Sequence, residues 1–144
     1  MNKIYTLKHF KIIELVDKAT YQIYGEDAIK LFSFDLLFSV DGVRDFFNLP
    51  VTINNWSTGG PFQYRGLRGE NCPIGAKNSY HKKGMAADLD VKGMKAEEVR
   101  QVILTNKDDE RLARIMRMEL AVTWVHLDVG QIPKDKERIY LFKG

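Results

Sequence analysis

Two histidines and one aspartate stand in two short segments that are suited to metal binding. His81 and Asp88 are seven residues apart within residues 79–90, and Gly84 between them permits a sharp turn of the backbone. His126 lies far downstream in a stretch rich in strand-forming residues. Two imidazoles and one carboxylate fill three corners of a zinc tetrahedron and leave the fourth open to water. Because an open position distinguishes catalytic from structural zinc, these residues favour a catalytic site.

The other candidate ligands in the chain are few. A lone histidine in a strand is more often a packed or surface residue than a ligand, but two of the three histidines lie in these segments. The third, His9, has no acidic or imidazole neighbour in the sequence pattern and is interpreted as a surface or packing residue. Cys72 is the single cysteine, so it has no partner for an internal disulfide or a thiolate metal site. We expect it to be a free thiol.

Length and composition predict one compact domain over residues 1–144, with a core that needs no disulfides. The net charge of +3 is mild, and acidic residues alternate with basic ones in residues 134–138, which argues against a nucleic-acid partner. No stretch approaches the roughly 18 to 20 apolar residues that span a bilayer. Because the N-terminus does not have the pattern of a secretory signal, we expect synthesis and folding in the host cytoplasm. The sequence indicates no particular oligomeric state.

Apolar residues at helical spacing predict helices, whereas β-branched and aromatic runs predict strands. The predicted helices cover residues 7–16, 33–47 and 95–104, and the predicted strands cover residues 51–53, 86–91, 115–120, 122–129 and 139–142. Ser33 or Asp35 would cap the second helix, and Asp41 with Gly42 would be its weak point. Glycine, asparagine and proline cluster in residues 54–79, which predicts a long loop of the kind that is often functional. The order of elements predicts an α+β fold in which helices pack on a small, mainly antiparallel sheet that carries the zinc site.

The segment around the first two candidate ligands resembles a known signature. Ser79, His81, Gly84, Ala86 and Asp88 match the S-x-H-x-x-G-x-A-x-D pattern of the D-alanyl-D-alanine carboxypeptidase-like zinc peptidases. The superfamily of these enzymes includes lysostaphin-type enzymes and the hedgehog signalling domain.

A second segment extends the resemblance. Trp124 and His126 match the W-x-H pattern that supplies the last ligand in that superfamily. The chain also resembles small phage and prophage cell-wall peptidases, which share Ile-Asn-Asn-Trp at residues 53–56, Gly-Gly at 59–60 and Arg-Gly-Leu-Arg at 65–68.

This resemblance implies that His81, Asp88 and His126 bind Zn²⁺. It implies hydrolysis of peptide bonds in peptidoglycan stem peptides, by a D-Ala-D-Ala carboxypeptidase or an endolysin-type endopeptidase. Bacterial cell-wall peptide would be the partner, reached after release from the host or as part of a phage particle. It also implies an arginine near the substrate carboxylate or carbonyl, for which Arg68 and then Arg65 are candidates, because a guanidinium binds carboxylates through two hydrogen bonds.

One position departs from the pattern. Many members of the superfamily carry Glu or Asp three residues before the last ligand as general base, and here that residue is Thr123. We expect Glu119 to be the base, with Asp128 as a second candidate. Asp128 has the strand parity of His126, so it is alternatively a hydrogen-bond partner of a ligand imidazole or a surface acid. Asp90 is interpreted as a partner of a ligand histidine or as a turn-capping acid.

Two further roles stay open at this point. Trp124 would line the cleft or pack in the core, and Ser79 would orient the ligand segment. Because of Thr123, a non-catalytic, zinc-stabilised binding or virion-structural module on the same fold is the alternative function. A structural tail or capsid domain without metal is the third hypothesis.

Overall fold

The computed structural model describes residues 5–76 and 79–144, which form an α+β fold. Its helices are α1 (Lys18–Tyr24), α2 (Phe34–Phe47) and α3 (Ala96–Thr105), and its strands are β1 (Val51–Thr52), β2 (Ala86–Val91), β3 (Arg117–Leu120), β4 (Val125–Asp128) and β5 (Tyr140–Lys143). Short 3-10 helices cover Ile12–Glu14, Gly25–Leu31, Trp56–Thr58 and Tyr80–Lys83. None of the helices in the described ranges has the length and apolar character needed to cross a membrane.

The five strands form one sheet in the order β1-β2-β4-β3-β5. All neighbouring strands are antiparallel except β3 and β5, which are parallel. The prediction of a small, mainly antiparallel sheet is therefore confirmed. The chain leaves β3 through Ala121, whose φ of 62° turns it back towards β4.

The sheet has a core face and a site face because side chains alternate along each strand. On β2 and β4 the apolar side chains of Leu89, Val125 and Leu127 are fully buried in the main hydrophobic cluster, together with residues of α2 and α3. Asp88 and His126 alternate with these residues and therefore lie on the opposite face. Helices α2 and α3 thus cover one face and leave the other for the candidate site.

Helix α2 agrees with its prediction except at the expected weak point. Ser33 is the N-cap, and its hydroxyl accepts a hydrogen bond from the amide of Asp35 at 3.2 Å. Asp41 and Gly42 do not interrupt the helix. A Cβ on Gly42 would lie 1.9 Å from the carbonyl oxygen of Arg111, so glycine here allows the later segment to pack directly on the helix.

The prediction of a helix over residues 7–16 is wrong, since only Ile12–Glu14 forms a 3-10 turn. Apart from the local bonds of this turn, the backbone of the segment bonds to distant parts of the chain. Two of its amides donate to the carboxylate of Asp41, and the carbonyl of Leu15 accepts from the amide of Leu67 at 2.7 Å. Of the six apolar residues in the segment, Leu7 and Ile13 are half-buried and the other four are buried, so burial rather than helix formation explains their spacing.

Two other features of the N-terminal region were not predicted. His9 does have an acidic partner, because its Nε2 lies 2.5 Å from Oδ1 of Asp45, and the expectation for it is wrong in this respect. Helix α1 and the 3-10 turn Gly25–Leu31 lie between the two predicted helices of the N-terminal third, where the sequence pattern delimits no separate element.

The long glycine-rich segment is irregular, as predicted, apart from the turn Trp56–Thr58; Lys77 and Asn78 lie outside the described residues. Its course is fixed by side chains. Asn54 donates to the carbonyl of Val16 at 3.0 Å and accepts from the amide of Arg65 at 2.9 Å. The carbonyl of Arg65 then accepts from the amide of Asp88 at 2.7 Å, which places this segment beside β2.

Candidate metal centre

His81 is positioned by a turn that its own segment encodes. The hydroxyl of Ser79 accepts from the amide of His81 at 3.2 Å and caps the 3-10 turn Tyr80–Lys83. Gly84 ends the turn with a φ of 68°, and a Cβ there would lie 2.2 Å from the carbonyl oxygen of Leu31. The expected roles of Ser79 in orientation and of Gly84 in a sharp turn therefore agree with the structure.

The sheet brings the other two residues together. Asp88 on β2 and His126 on β4 are direct partners in the antiparallel register and project from the same face. Ligand atoms of His81, Asp88 and His126 all lie within 4.8 Å of one another. The three residues are buried, with exposed fractions of 4%, 6% and 8%.

The ring of His81 is oriented by the backbone. Its Nδ1 lies 2.9 Å from the carbonyl oxygen of Gly66, which can only accept a hydrogen bond. Nδ1 therefore carries a proton, and Nε2 is the ring nitrogen left to face Asp88. This nitrogen lies 3.3 Å from Oδ1 of Asp88.

The ring of His126 lies between two carboxylates. Its Nδ1 is 2.9 Å from Oδ1 of Asp88, and its Nε2 is 2.8 Å from Oδ2 of Asp128. Asp128 is fully buried and also accepts from the amide of Gly130 at 3.0 Å. The strand-parity argument that made Asp128 a possible partner of a ligand imidazole is thus confirmed, and the interpretation as a surface acid is wrong.

The ionisation of the site reflects this arrangement. Burial by itself would raise the pKa of Asp88, but hydrogen bonds from His126 and His81 hold that pKa well below its usual range. Burial likewise acts to lower the pKa of His126, but hydrogen bonds to Asp128 and Asp88 raise it to about 9. Without a metal, His126 is therefore positively charged at neutral pH.

The donor set fits a divalent cation. Nε2 of His81 and Nδ1 of His126 face the same carboxylate oxygen of Asp88. Because nitrogen lone pairs and a carboxylate oxygen repel one another, protons or a metal ion must lie between these three atoms. The remaining ring nitrogens are already engaged by Gly66 and Asp128, which is how ligand histidines are usually oriented. Two nitrogens and one oxygen from buried side chains are ligands that zinc accepts.

Comparison with known proteins agrees with this geometry. The family model described as Peptidase M15 matches residues 8–128, a range that includes all three candidate ligands. The chain belongs to the peptidase M15 family. No match was found among curated proteins or among solved structures. The resemblance to zinc peptidases of this type is therefore confirmed, and the M15 family is zinc-dependent.

Two arginines border the M15 site on the β2 side. Arg68 places Nη2 3.6 Å from Oδ2 of Asp88 and donates from Nε to the carbonyl of Tyr64 at 2.7 Å. Arg65 instead pairs with Asp90 at 2.7 Å. Asp90 therefore contacts an arginine, and the interpretation of it as a partner of a ligand histidine is wrong.

Glu119 and Thr123 lie on different sides of the M15 fold. Register places Arg117 opposite Asp128, and Glu119 has the strand parity of Arg117, so it projects from the site face of β3. Thr123 lines a cleft between α3 and the sheet, together with core-facing residues such as Val125. The structure agrees that Thr123 is not the base, and the catalytic role of Glu119 stays a prediction.

Several contacts of the site were not predicted. The carbonyl of Gly66 gives no signal in the sequence, because any residue has one. Arg117 donates from Nε to both carboxylate oxygens of Asp128 at 2.9 and 3.2 Å. Phe142 packs edge-on against the ring of His126, with 5.6 Å between centroids. Arg117 and Glu119 are two residues apart on β3, so the sequence predicts that they project from the same face of the sheet. Which residues Arg117 contacts there depends on the register of β3 and β4, which the sequence does not show.

Proposed function

We propose that this member of the M15 family is a zinc-dependent peptidase that hydrolyses peptide bonds in peptidoglycan stem peptides. The observation that carries the proposal is the convergence of Nε2 of His81, Oδ1 of Asp88 and Nδ1 of His126 in a buried site of this family. We also propose that the enzyme acts at the bacterial cell wall, because that is where such peptides occur.

The chain's own residues have separate tasks in this proposal. His81, Asp88 and His126 would hold the ion, and the hydrogen bonds to Gly66 and Asp128 keep both rings in the required orientation. When bound, zinc supplies Lewis acidity, which polarises a carbonyl oxygen and makes water acidic enough to react near neutral pH. The burial of the three side chains strengthens the electrostatic interactions within the site.

Glu119 is the proposed general base. It would take a proton from the attacking water and return it to the amine that leaves. Asp128 is less suited, since it is fully buried and its oxygens already accept from His126, Arg117 and Gly130. Arg68 would bind the substrate carboxylate or carbonyl, because its guanidinium lies beside Asp88 at the edge of the site.

Turnover of defined substrates tests the proposal. Zinc-loaded protein would be incubated with purified peptidoglycan and with synthetic stem peptides that contain a D-Ala-D-Ala or a D-Ala-to-diamino-acid bond, and products identified by mass spectrometry. We expect His81→Ala to lower the rate at least about 100-fold, because a ligand of the proposed ion is lost. His9→Ala is the matched control, since His9 pairs with Asp45 away from the site. An equal rate for His81→Ala and the wild type would refute the proposal.

The same experiment addresses the alternative of a non-catalytic module. Thr123 at the usual position of the base motivates it, as this residue lines the cleft behind the sheet rather than the site. If zinc raises the melting temperature and chelation lowers it, while no peptide is cleaved, the zinc-stabilised module is the better description.

A further inference from the structure

Arg117 uses fewer of its guanidinium donors than the buried Arg100 and the half-buried Arg138. Arg100 bonds through Nε, Nη1 and Nη2, and Arg138 through Nε and Nη2. Arg117 donates only from Nε, to Asp128. Within residues 5–76 and 79–144, its two terminal amino groups have no hydrogen-bond partner.

These terminal amino groups reach the surface. Among the described residues, no buried side-chain nitrogen or oxygen is without a hydrogen-bond partner. The unpaired nitrogens of Arg117 must therefore be accessible to solvent, although the side chain as a whole is only 19% exposed. A guanidinium with free parallel donors is suited to bind a carboxylate in a bidentate manner.

The guanidinium is also held in place before any ligand binds. Its Nε is tied to the fully buried carboxylate of Asp128, and its central carbon lies over the rings of Phe142 at 4.3 Å and Tyr80 at 5.0 Å. Such fixation reduces the entropy lost when a ligand is bound. Because Phe142 and Asp128 both touch His126, the guanidinium is separated from a candidate metal ligand by one residue.

Arg117 and Arg68 flank the candidate ligands from opposite sides. The segment that contains Arg68 runs beside β2, on the edge that does not pair with β4. Arg117 is on β3, which pairs with the other edge of β4. A peptide that lies across the site would therefore meet a guanidinium on each side of the candidate metal centre.

We propose that Arg117 binds a carboxylate of the peptide substrate, on the side of the metal centre away from Arg68, and so determines specificity for acidic peptides. This proposal rests on the proposed peptidase function. The carboxylate belongs either to the C-terminal residue of the peptide or to an acidic residue within it. These two sources have the same chemistry and are distinguished by the test.

Equilibrium binding of matched peptides to the zinc-loaded protein tests this role, with Glu119→Gln present in every variant, the Arg117 reference included, so that no peptide is cleaved during the titration. A stem pentapeptide with all carboxylates free would be compared by calorimetry with two analogues, one amidated at the C-terminus and one at its internal glutamate. We expect the wild type to bind the free peptide about 10- to 100-fold more tightly than one of the analogues. In Arg117→Gln this preference should disappear, and in Arg117→Lys it should be reduced, since lysine keeps the charge but not the planar fork. Arg114→Gln, which alters an exposed arginine paired with Asp35, should keep the preference.

Zinc affinity and melting temperature of each variant are measured as well, because a purely structural role of Arg117 would change these two quantities and not the preference between peptides. If Arg117→Gln weakens binding of free and amidated peptides equally, Arg117 acts only through Asp128 and the proposal is overturned. It is also overturned if the wild type binds all three peptides alike or none of them. Failure of the proposed function gives a different result. In that case the preference for the free peptide and its loss in Arg117→Gln would still be observed, but the protein with Glu119 intact would cleave no peptide.

Discussion

Asp41 and Asp88 are both buried aspartates on regular elements, with exposed fractions of 2% and 6%, yet their surroundings are of different kinds. Asp41, on α2, accepts from the hydroxyl of Tyr5 at 2.7 Å and from the amides of Lys8 at 2.9 Å and His9 at 3.1 Å. All of these donors keep their protons near neutral pH. The carboxylate is therefore satisfied by the protein alone, and it attaches the N-terminal segment to the helix.

Asp88 faces ring nitrogens instead. Oδ1 lies near Nδ1 of His126 and Nε2 of His81, and each of these nitrogens can hold either a proton or a metal ion. The difference shows that burial of an acid does not by itself indicate function. What indicates function is whether its partners are permanent donors or groups that exchange protons for metal.

The largest expected effect is that of Asp88→Asn on zinc. An amide is a weak zinc ligand, and the substitution removes the charge that draws a cation into the site. We expect zinc affinity to fall by at least about 100-fold. Melting temperature with and without added zinc measures this, because a ligand that binds only the native state stabilises it. A zinc-dependent rise in Asp88→Asn as large as in the wild type would contradict the assignment of Asp88 as a ligand.

Asp41→Asn should have the opposite profile. The amide nitrogen of asparagine cannot accept the hydrogen bonds that the carboxylate receives, so one or two buried donors are left unpaired. We expect the free energy of unfolding to fall by about 2–3 kcal/mol, with zinc affinity unchanged. Urea unfolding and zinc titration of the same preparation provide both values. Loss of zinc binding in the folded variant would show that the two acids are not independent.

The contrast between Asp88 and Asp41 also shows which features can be predicted from the sequence. The spacing of His81 and Asp88, the glycine between them and the later His126 are local features, and the α+β fold and the buried set of three agree with them. Asp41 followed by Gly42 indicates only a weak helix, because the donors that make this acid useful come from residues more than thirty positions away.

The failures have the same physical cause. The apolar spacing in residues 7–16 predicts a buried face, which is correct, but the choice between a helix and an irregular segment depends on partners supplied by Asp41 and Leu67. Arg117 similarly acquires its role from strand register, since that register sets it opposite Asp128. Contacts across the sheet and between distant loops are decided by tertiary packing, which local patterns do not contain.

The smallest expected effect concerns the hydroxyl of Tyr5, one of the three donors to Asp41. Tyr5→Phe should lower the free energy of unfolding by about 1 kcal/mol near neutral pH, since one hydrogen bond is lost and two remain.

Burial, the hydrogen bond to Asp41 and the charge of that acid raise the pKa of Tyr5 above its ordinary value. A raised pKa in the folded state means that this stabilisation is complete below the pKa of the unfolded chain, about 10, and is lost as pH rises through the higher folded value. The wild type should therefore lose stability more steeply than Tyr5→Phe above about pH 10, as followed by urea unfolding over a pH series. Other tyrosines titrate in both proteins, so the difference between them isolates Tyr5. A stability difference that stays constant across this range would show that the hydroxyl is not bound to Asp41 as described, and the N-terminal segment would then need another anchor on α2.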